Sequence, residues 1–153
     1  MSGHQNLPPG AREHADNHIR ALLAEQEMPV IGISSLAEGA DQVFAQLILD
    51  AGGALHAVIP SRDYDATFDT SALCTYRELL SRADSVVELN FPEPSEQAYY
   101  AAGRYVVEHS DILIAVWDGR PARGLGGTAD AVAHARGLGR NVVILWPEGV
   151  RRA

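Results

Sequence analysis

Residues 118–139 read DGRPARGLGGTADAVAHARGLG, a glycine-rich stretch that turns at Thr128 into a helical pattern. Gly124, Gly126 and Gly127 allow a backbone to turn tightly and to approach a ligand closely. A helix beginning near Thr128 points unsatisfied N–H groups at whatever precedes it. Thr128 adds a hydroxyl, and Arg120 and Arg123 set two cations beside the loop. The chemistry these residues describe is capture of a phosphate. They also fit a surface connection in which Thr128 is an ordinary N-cap. The loop's place directly after an apolar strand favours the phosphate.

A second stretch, SSLAEGAD over residues 34–41, supports two readings. Ser35 and Glu38 have the spacing of a capping box, with Asp41 then complementing the helix dipole. Alternatively, Glu38 or Asp41 hydrogen-bonds ribose hydroxyls or serves as a general base. Trp117 ends a strand, where it stacks on a base or simply packs. His14 and His18 lie four apart on a helix, but no third or fourth ligand accompanies them, so a solvated face is expected and no metal. His56 and His134 are read as structural. Cys74 is read as a small core residue.

Composition narrows the possibilities. The chain has 153 residues, a mass of 16.4 kDa and a net charge of −8. It is read as one domain spanning residues 1–153, with a core of ordinary size. No apolar run approaches a membrane span and no leader opens the chain, so a cytoplasmic protein without a membrane partner is expected. One cysteine excludes an internal disulfide. The acidic balance argues against a nucleic-acid partner. All 12 basic residues are arginine. Without lysine, neither a Walker-type phosphate loop nor a pyridoxal-phosphate Schiff base can be built. No cofactor is expected.

The elements that must position these residues alternate regularly. Apolar, β-branched runs at residues 30–34, 55–60, 85–89, 112–117 and 142–146 predict strands covered on both faces. Helical spacing joins Ala15, Ile19, Leu22 and Leu23; Ala40, Val43, Phe44, Leu47, Ile48 and Ala51; Leu73, Tyr76, Leu79, Leu80 and Ala83; and Ala98, Ala102, Tyr105, Val106 and His109. Strand–helix alternation of this kind predicts right-handed crossovers, a mainly parallel sheet and a three-layer Rossmann-like α/β fold. A first strand ends at Gly3 and is either very short or clipped. In such sheets ligands bind beyond the carboxyl ends of the strands. The candidate ligand-binding residues are therefore Gly3, His4, Ser34, Ser35, Arg62, Tyr64, Trp117, Arg123, Gly124, Gly126, Gly127 and Thr128. Residues 61–72, the longest irregular stretch, are expected to border the crevice.

The segments GISSLAEGADQVFAQLILDAGGALHAVIP, YRELLSRADSVVEL and SDILIAVWDGRPARGLGGTADAVAHARGLGRNVVILWP resemble the SLOG superfamily. That Rossmann-like group includes DprA/Smf DNA-processing proteins, LOG phosphoribohydrolases and molybdenum cofactor carriers. The resemblance covers nearly the whole chain. GHQNL, residues 3–7, is similar to a glycine–histidine–arginine entry, with Gln5 in the place of the arginine. The resemblance implies a nucleotide or nucleotide-derived ligand with its phosphate on the glycine-rich loop, and a homodimer.

LOG enzymes carry Pro-Gly-Gly-x-Gly-Thr-x-x-Glu. Anchored on Gly127 and Thr128, this chain has Gly124 and Leu125 at the paired glycines and Ala131 at the catalytic glutamate. Asp130 stands one residue earlier, rotated by about 100° on a helix.

The expected function is that of a nucleotide binder or sensor. One alternative is an N-glycosidic hydrolase of nucleoside monophosphates, with Glu38, Asp118 or Asp130 as the catalytic carboxylate. The other is a carrier of molybdenum cofactor.

Overall fold

A computed structural model describes residues 1–152. Six strands alternate with five α-helices: β1 (Ser2–Gly3), α1 (Pro9–Ala24), β2 (Ile31–Ser34), α2 (Ala40–Asp50), β3 (Ala54–Ile59), α3 (Thr70–Ser81), β4 (Ser85–Glu88), α4 (Glu96–Glu108), β5 (Ile112–Val116), α5 (Thr128–Gly137) and β6 (Asn141–Leu145), with a 3-10 turn at Tyr64–Thr67 before α3. Every strand pairing is parallel. The strands form two three-stranded sheets, β2–β3–β4 and β1–β5–β6. The Met1 amino group bridges them by donating to the Ile33 carbonyl at 3.0 Å. From β1 the chain moves outward through β2, β3 and β4, then returns to place β5 on β1's other side. Strand order therefore reverses between β1 and β5.

Alternation along the strands supplies both faces. Val58 packs with Ala102, Val106, Leu113 and Val132 toward α4 and α5. Its neighbours Ala57 and Ile59 face α2 and α3 with Ala45, Tyr76 and Leu79. Val116 lies against α1 and α2 with Ile19, Phe44 and Ile48. The result is a three-layer Rossmann-like α/β fold, as the alternation of patterns predicts.

Two details depart from the sequence reading. The outer strands are not covered on both faces: Val86 in β4 is 51% exposed and Ile144 in β6 is 40% exposed, because the helices lie over the central strands. Cys74 is exposed rather than in the core, since the buried stripe of α3 runs through Ala72, Tyr76 and Leu79.

Candidate functional site

The loop between β1 and α1 and the turn before α2 are built together. His4 N–H donates to Val116 O at 3.1 Å, carrying the β1–β5 ladder one residue past the strand. The His4 carbonyl then accepts the first N–H of α2, from Ala40, at 3.1 Å. Of the two readings of this stretch, the capping box of Ser35 and Glu38 is not formed. The N-cap of α2 is Gly39, at φ +90°, where a Cβ would lie 2.0 Å from Gln5 O. Ser34 and Asp41 close the intervening turn: Ser34 Oγ accepts from Leu36 N–H at 3.1 Å and donates to Asp41 Oδ2 at 3.2 Å.

Asp41 is buried and on the wall of the main cavity. Burial raises its pKa to about 6, against the opposing pull of the Met1 amino group and hydrogen bonds from Ser34, Ser35 and Ala37.

The glycine-rich loop is held by carboxylates. Gly126 N–H donates to Asp130 Oδ2 at 2.8 Å, and Leu125 N–H to Glu96 Oε1 at 3.3 Å. Gly126 has φ +86°, and a Cβ there would stand 2.5 Å from Tyr100 N, so the loop lies directly on the start of α4. The N-cap of α5 is Gly127, with no side-chain cap, and Thr128 is its first helical residue at 6% exposure. Thr128 is thus not the N-cap. No carbonyl inside α5 reaches the amides of Thr128 and Ala129, and both residues line the cavity.

At the end of β5, Asp118 Oδ1 lies 3.0 Å from His4 Nε2 and accepts from Arg120 N–H at 3.1 Å. Burial pushes the Asp118 carboxyl up, but its hydrogen bonds from Arg120 and His4 and the nearby charges outweigh that, and it ends below its usual value. Burial lowers His4, with Asp118 pulling the other way. Trp117 Nε1–H donates to Arg120 O at 2.8 Å, which fastens the indole to the loop that follows it.

These elements enclose a cavity of about 550 Å³ at the carboxyl ends of the strands. Of the residues singled out in the sequence, Gly3, His4, Ser35, Glu38, Tyr64, Trp117, Arg123, Gly124, Gly126, Gly127 and Thr128 line it. Thr67 and Phe68 place the 61–72 stretch on its border. Four residues lie elsewhere. Ser34 is turned inward onto Asp41 and Leu36. Arg62 is exposed off the wall. Asp118 sits behind His4. Asp130 faces a separate small hollow with Tyr100 and His134.

Sequence reasoning weighed Asp41 without selecting it, placed Phe68 only within the bordering 61–72 stretch, and missed Tyr99 and Arg152 on the wall. Tyr99 links the two sides of the site, its backbone against Gly126 and its ring 6.3 Å from Tyr64. The Ser95 side chain caps α4 and fixes where that helix begins, which is the only sequence signal for Tyr99. His14 and His18 stack on α1 with ring centroids 3.9 Å apart.

No protein-family model and no curated protein sequence matches the chain. Solved structures share its fold. DNA processing protein A (DprA) from Streptococcus pneumoniae matches with a TM-score of 0.70 at 20% identity, over 93% of this chain and 47% of that one. DNA processing protein A from Helicobacter pylori, solved to show its single-stranded DNA binding mode, gives 0.68 at 19% identity, over 99% of this chain and 65% of that one. The structural-genomics protein TM1055 gives 0.58 at 16% identity, over 93% and 68%. The chain spans about half the length of the first and just under two thirds of the second. Its fold is the DprA-like Rossmann fold that the sequence resemblance implies.

One expectation is overturned by this likeness. The acidic balance was to exclude nucleic acid, yet the same fold is carried by a protein that binds single-stranded DNA. Net charge sums over the whole surface, whereas Arg123 and Arg152 are concentrated on this cavity, and stacking needs no net positive charge. Among the described residues no helix is long and apolar enough to cross a membrane.

Proposed function

We propose that the chain binds a nucleotide or nucleotide-derived small molecule at the carboxyl edge of its strands. The observation that carries this reading is that one cavity of about 550 Å³ joins the N-terminus of α5 to an aromatic wall and a buried carboxylate. A helix N-terminus with open amides takes a phosphate. Tyr99 and Phe68 offer rings to a base. Ser35, Glu38 and Asp41 offer hydroxyl and carboxylate groups to ribose hydroxyls. A mononucleotide carries these three kinds of group, and the volume suits a ligand of that size.

A second reading, N-glycosidic hydrolysis, is supported by two carboxylates on that wall. Asp130 is turned to Gly126 and Asp118 to His4, both off the cavity wall, which leaves Glu38 and Asp41 on it. Asp41, raised to about 6, is in the range for proton transfer near neutrality. If the chain hydrolyses nucleoside monophosphates, Asp41→Asn and Glu38→Gln abolish release of free base without abolishing binding.

A thermal-shift series with ribonucleosides, their 5′-monophosphates and a short single-stranded DNA tests the main reading. A ligand present at 100 times its Kd stabilises the native state by about 2.7 kcal/mol, a rise of several degrees. The expected result is a rise with at least one 5′-monophosphate and a smaller one with its nucleoside. A rise with the DNA alone would replace the small-molecule reading by strand binding.

A further inference from the structure

Beyond β6 the chain turns back over the site. Trp146 Nε1–H donates to Val150 O at 2.8 Å, and Val150 N–H to Pro147 O at 3.4 Å. This turn delivers Arg152 to the wall of the cavity that the glycine-rich loop also lines. The Arg152 side chain is only 15% exposed, and its Nε stands 3.4 Å from Asp118 Oδ2, whose side chain is 4% exposed. The two are close enough to pair but are not aligned. Asp118 Oδ2 and Arg152 Nε are both buried without a hydrogen-bond partner among the described residues. Asp118 already receives His4 and the Arg120 N–H on Oδ1. A guanidinium has five donors in a planar fork suited to phosphate, and a buried one left unsatisfied is costly.

We propose that Arg152 is the anion-recognising side chain of the cavity. It would hold the ligand's phosphate together with the backbone donors of Thr128 and Ala129, which line the same cavity, with Asp118 as the positioning residue that keeps the guanidinium at the site. This deepens the nucleotide reading and rests on it for the ligand's identity. It does not rest on it for the anion. A guanidinium that is largely buried on the cavity wall, with its Nε–H unbonded, suits an anionic group whatever is attached to it. The carboxylate behind the arginine limits the local positive charge, so selection falls on phosphate geometry rather than on anions in general.

The test is calorimetric titration of the full chain and of Arg152→Ala and Arg152→Lys with the four ribonucleoside 5′-monophosphates, their nucleosides and inorganic pyrophosphate. Folding of each variant is checked by its thermal midpoint. Arg152→Ala is expected to lose at least tenfold in affinity for the monophosphate and none for the nucleoside. Arg152→Lys is expected to recover part of that loss, since a point charge remains without the fork. Monophosphate affinity within threefold of wild type in Arg152→Ala overturns the assignment, as does an equal loss for the nucleoside. If wild type binds none of the nucleotides but binds pyrophosphate in an Arg152-dependent way, the nucleotide reading fails and the Arg152 assignment stands. If it binds neither, both fail.

Discussion

The Asp130 carboxylate accepts the Gly126 N–H at 2.8 Å, folding the glycine-rich loop back onto the helix that it introduces. A residue one position away from the catalytic glutamate of the LOG pattern thus acts on the loop's backbone. Asp130→Ala is expected to destabilise the protein by about 1 kcal/mol, the cost of a half-buried amide left without its acceptor. Asp130→Asn keeps an acceptor oxygen and most of the stability. Urea denaturation of the two variants checks this. A hydrolytic activity lost in Asp130→Asn at unchanged stability would contradict it.

Two positive-φ glycines separate backbone strain from crowding. Gly119, at φ +78°, has open space within 4 Å of where a Cβ would stand, whereas at Gly126, with φ +86°, that atom would lie 2.5 Å from Tyr100 N. Gly119→Ala should cost about 1 kcal/mol, for the left-handed conformation alone. Gly126→Ala should cost clearly more, because the loop must lift off α4. Equal costs in denaturant melts would show that the loop does not rest on α4 as described.

The His4–Asp118 pair sets a pH dependence. Burial lowers the folded-state pKa of His4 from its ordinary 6.5, so the folded chain binds fewer protons than the unfolded one just below that pH. Stability from neutral His4 is therefore full above 6.5 and is lost as pH falls toward the folded-state value. His4→Gln should flatten stability across that window. Because Asp118 opposes the shift, Asp118→Asn should lower the His4 pKa further, as read from imidazole NMR titration. A rise in that pKa would contradict the pairing.

Tyr99 couples the loop to the aromatic wall, and burial raises its hydroxyl pKa. Tyr99→Leu keeps bulk but removes the ring face. If the ring stacks on a base, affinity for a 5′-monophosphate should fall by about 1–3 kcal/mol, while pyrophosphate binding stays unchanged. Fluorescence or calorimetric titration distinguishes this from an equal loss for both ligands, which would mean damage to the loop.

Much of this site was legible in the sequence because it is local. The apolar run of β5, the glycines after it and the helical pattern from Thr128 lie in one continuous stretch, and their roles depend on neighbours within it. The SSLAEGAD segment misled for the opposite reason. Its capping-box spacing is genuine, but the helix starts only at Ala40, where Gly39 is the N-cap and the His4 carbonyl takes the Ala40 N–H, a contact 36 residues distant in sequence. Arg62 follows a strand as expected, yet the turn after Pro60 leaves it outside the crevice. Arg152 carried no signal at all, since no periodicity surrounds it and only the turn after β6 brings it to Asp118.

The central claim is that the open end of α5 holds the ligand's phosphate, and Gly127→Asp tests it most directly. Gly127 has an ordinary φ of −80°, and an added Cβ meets only Ala122, its Cβ at 3.1 Å. Aspartate is a preferred N-cap and its charge suits the helix dipole, so the ligand-free variant should melt at or slightly above the wild-type temperature. The same charge repels a phosphate. Calorimetric titration with the best-binding 5′-monophosphate should show a loss of at least about a hundredfold, the scale of the 3 kcal/mol that a few charged hydrogen bonds supply. Wild-type affinity in Gly127→Asp would place the phosphate elsewhere and contradict the account.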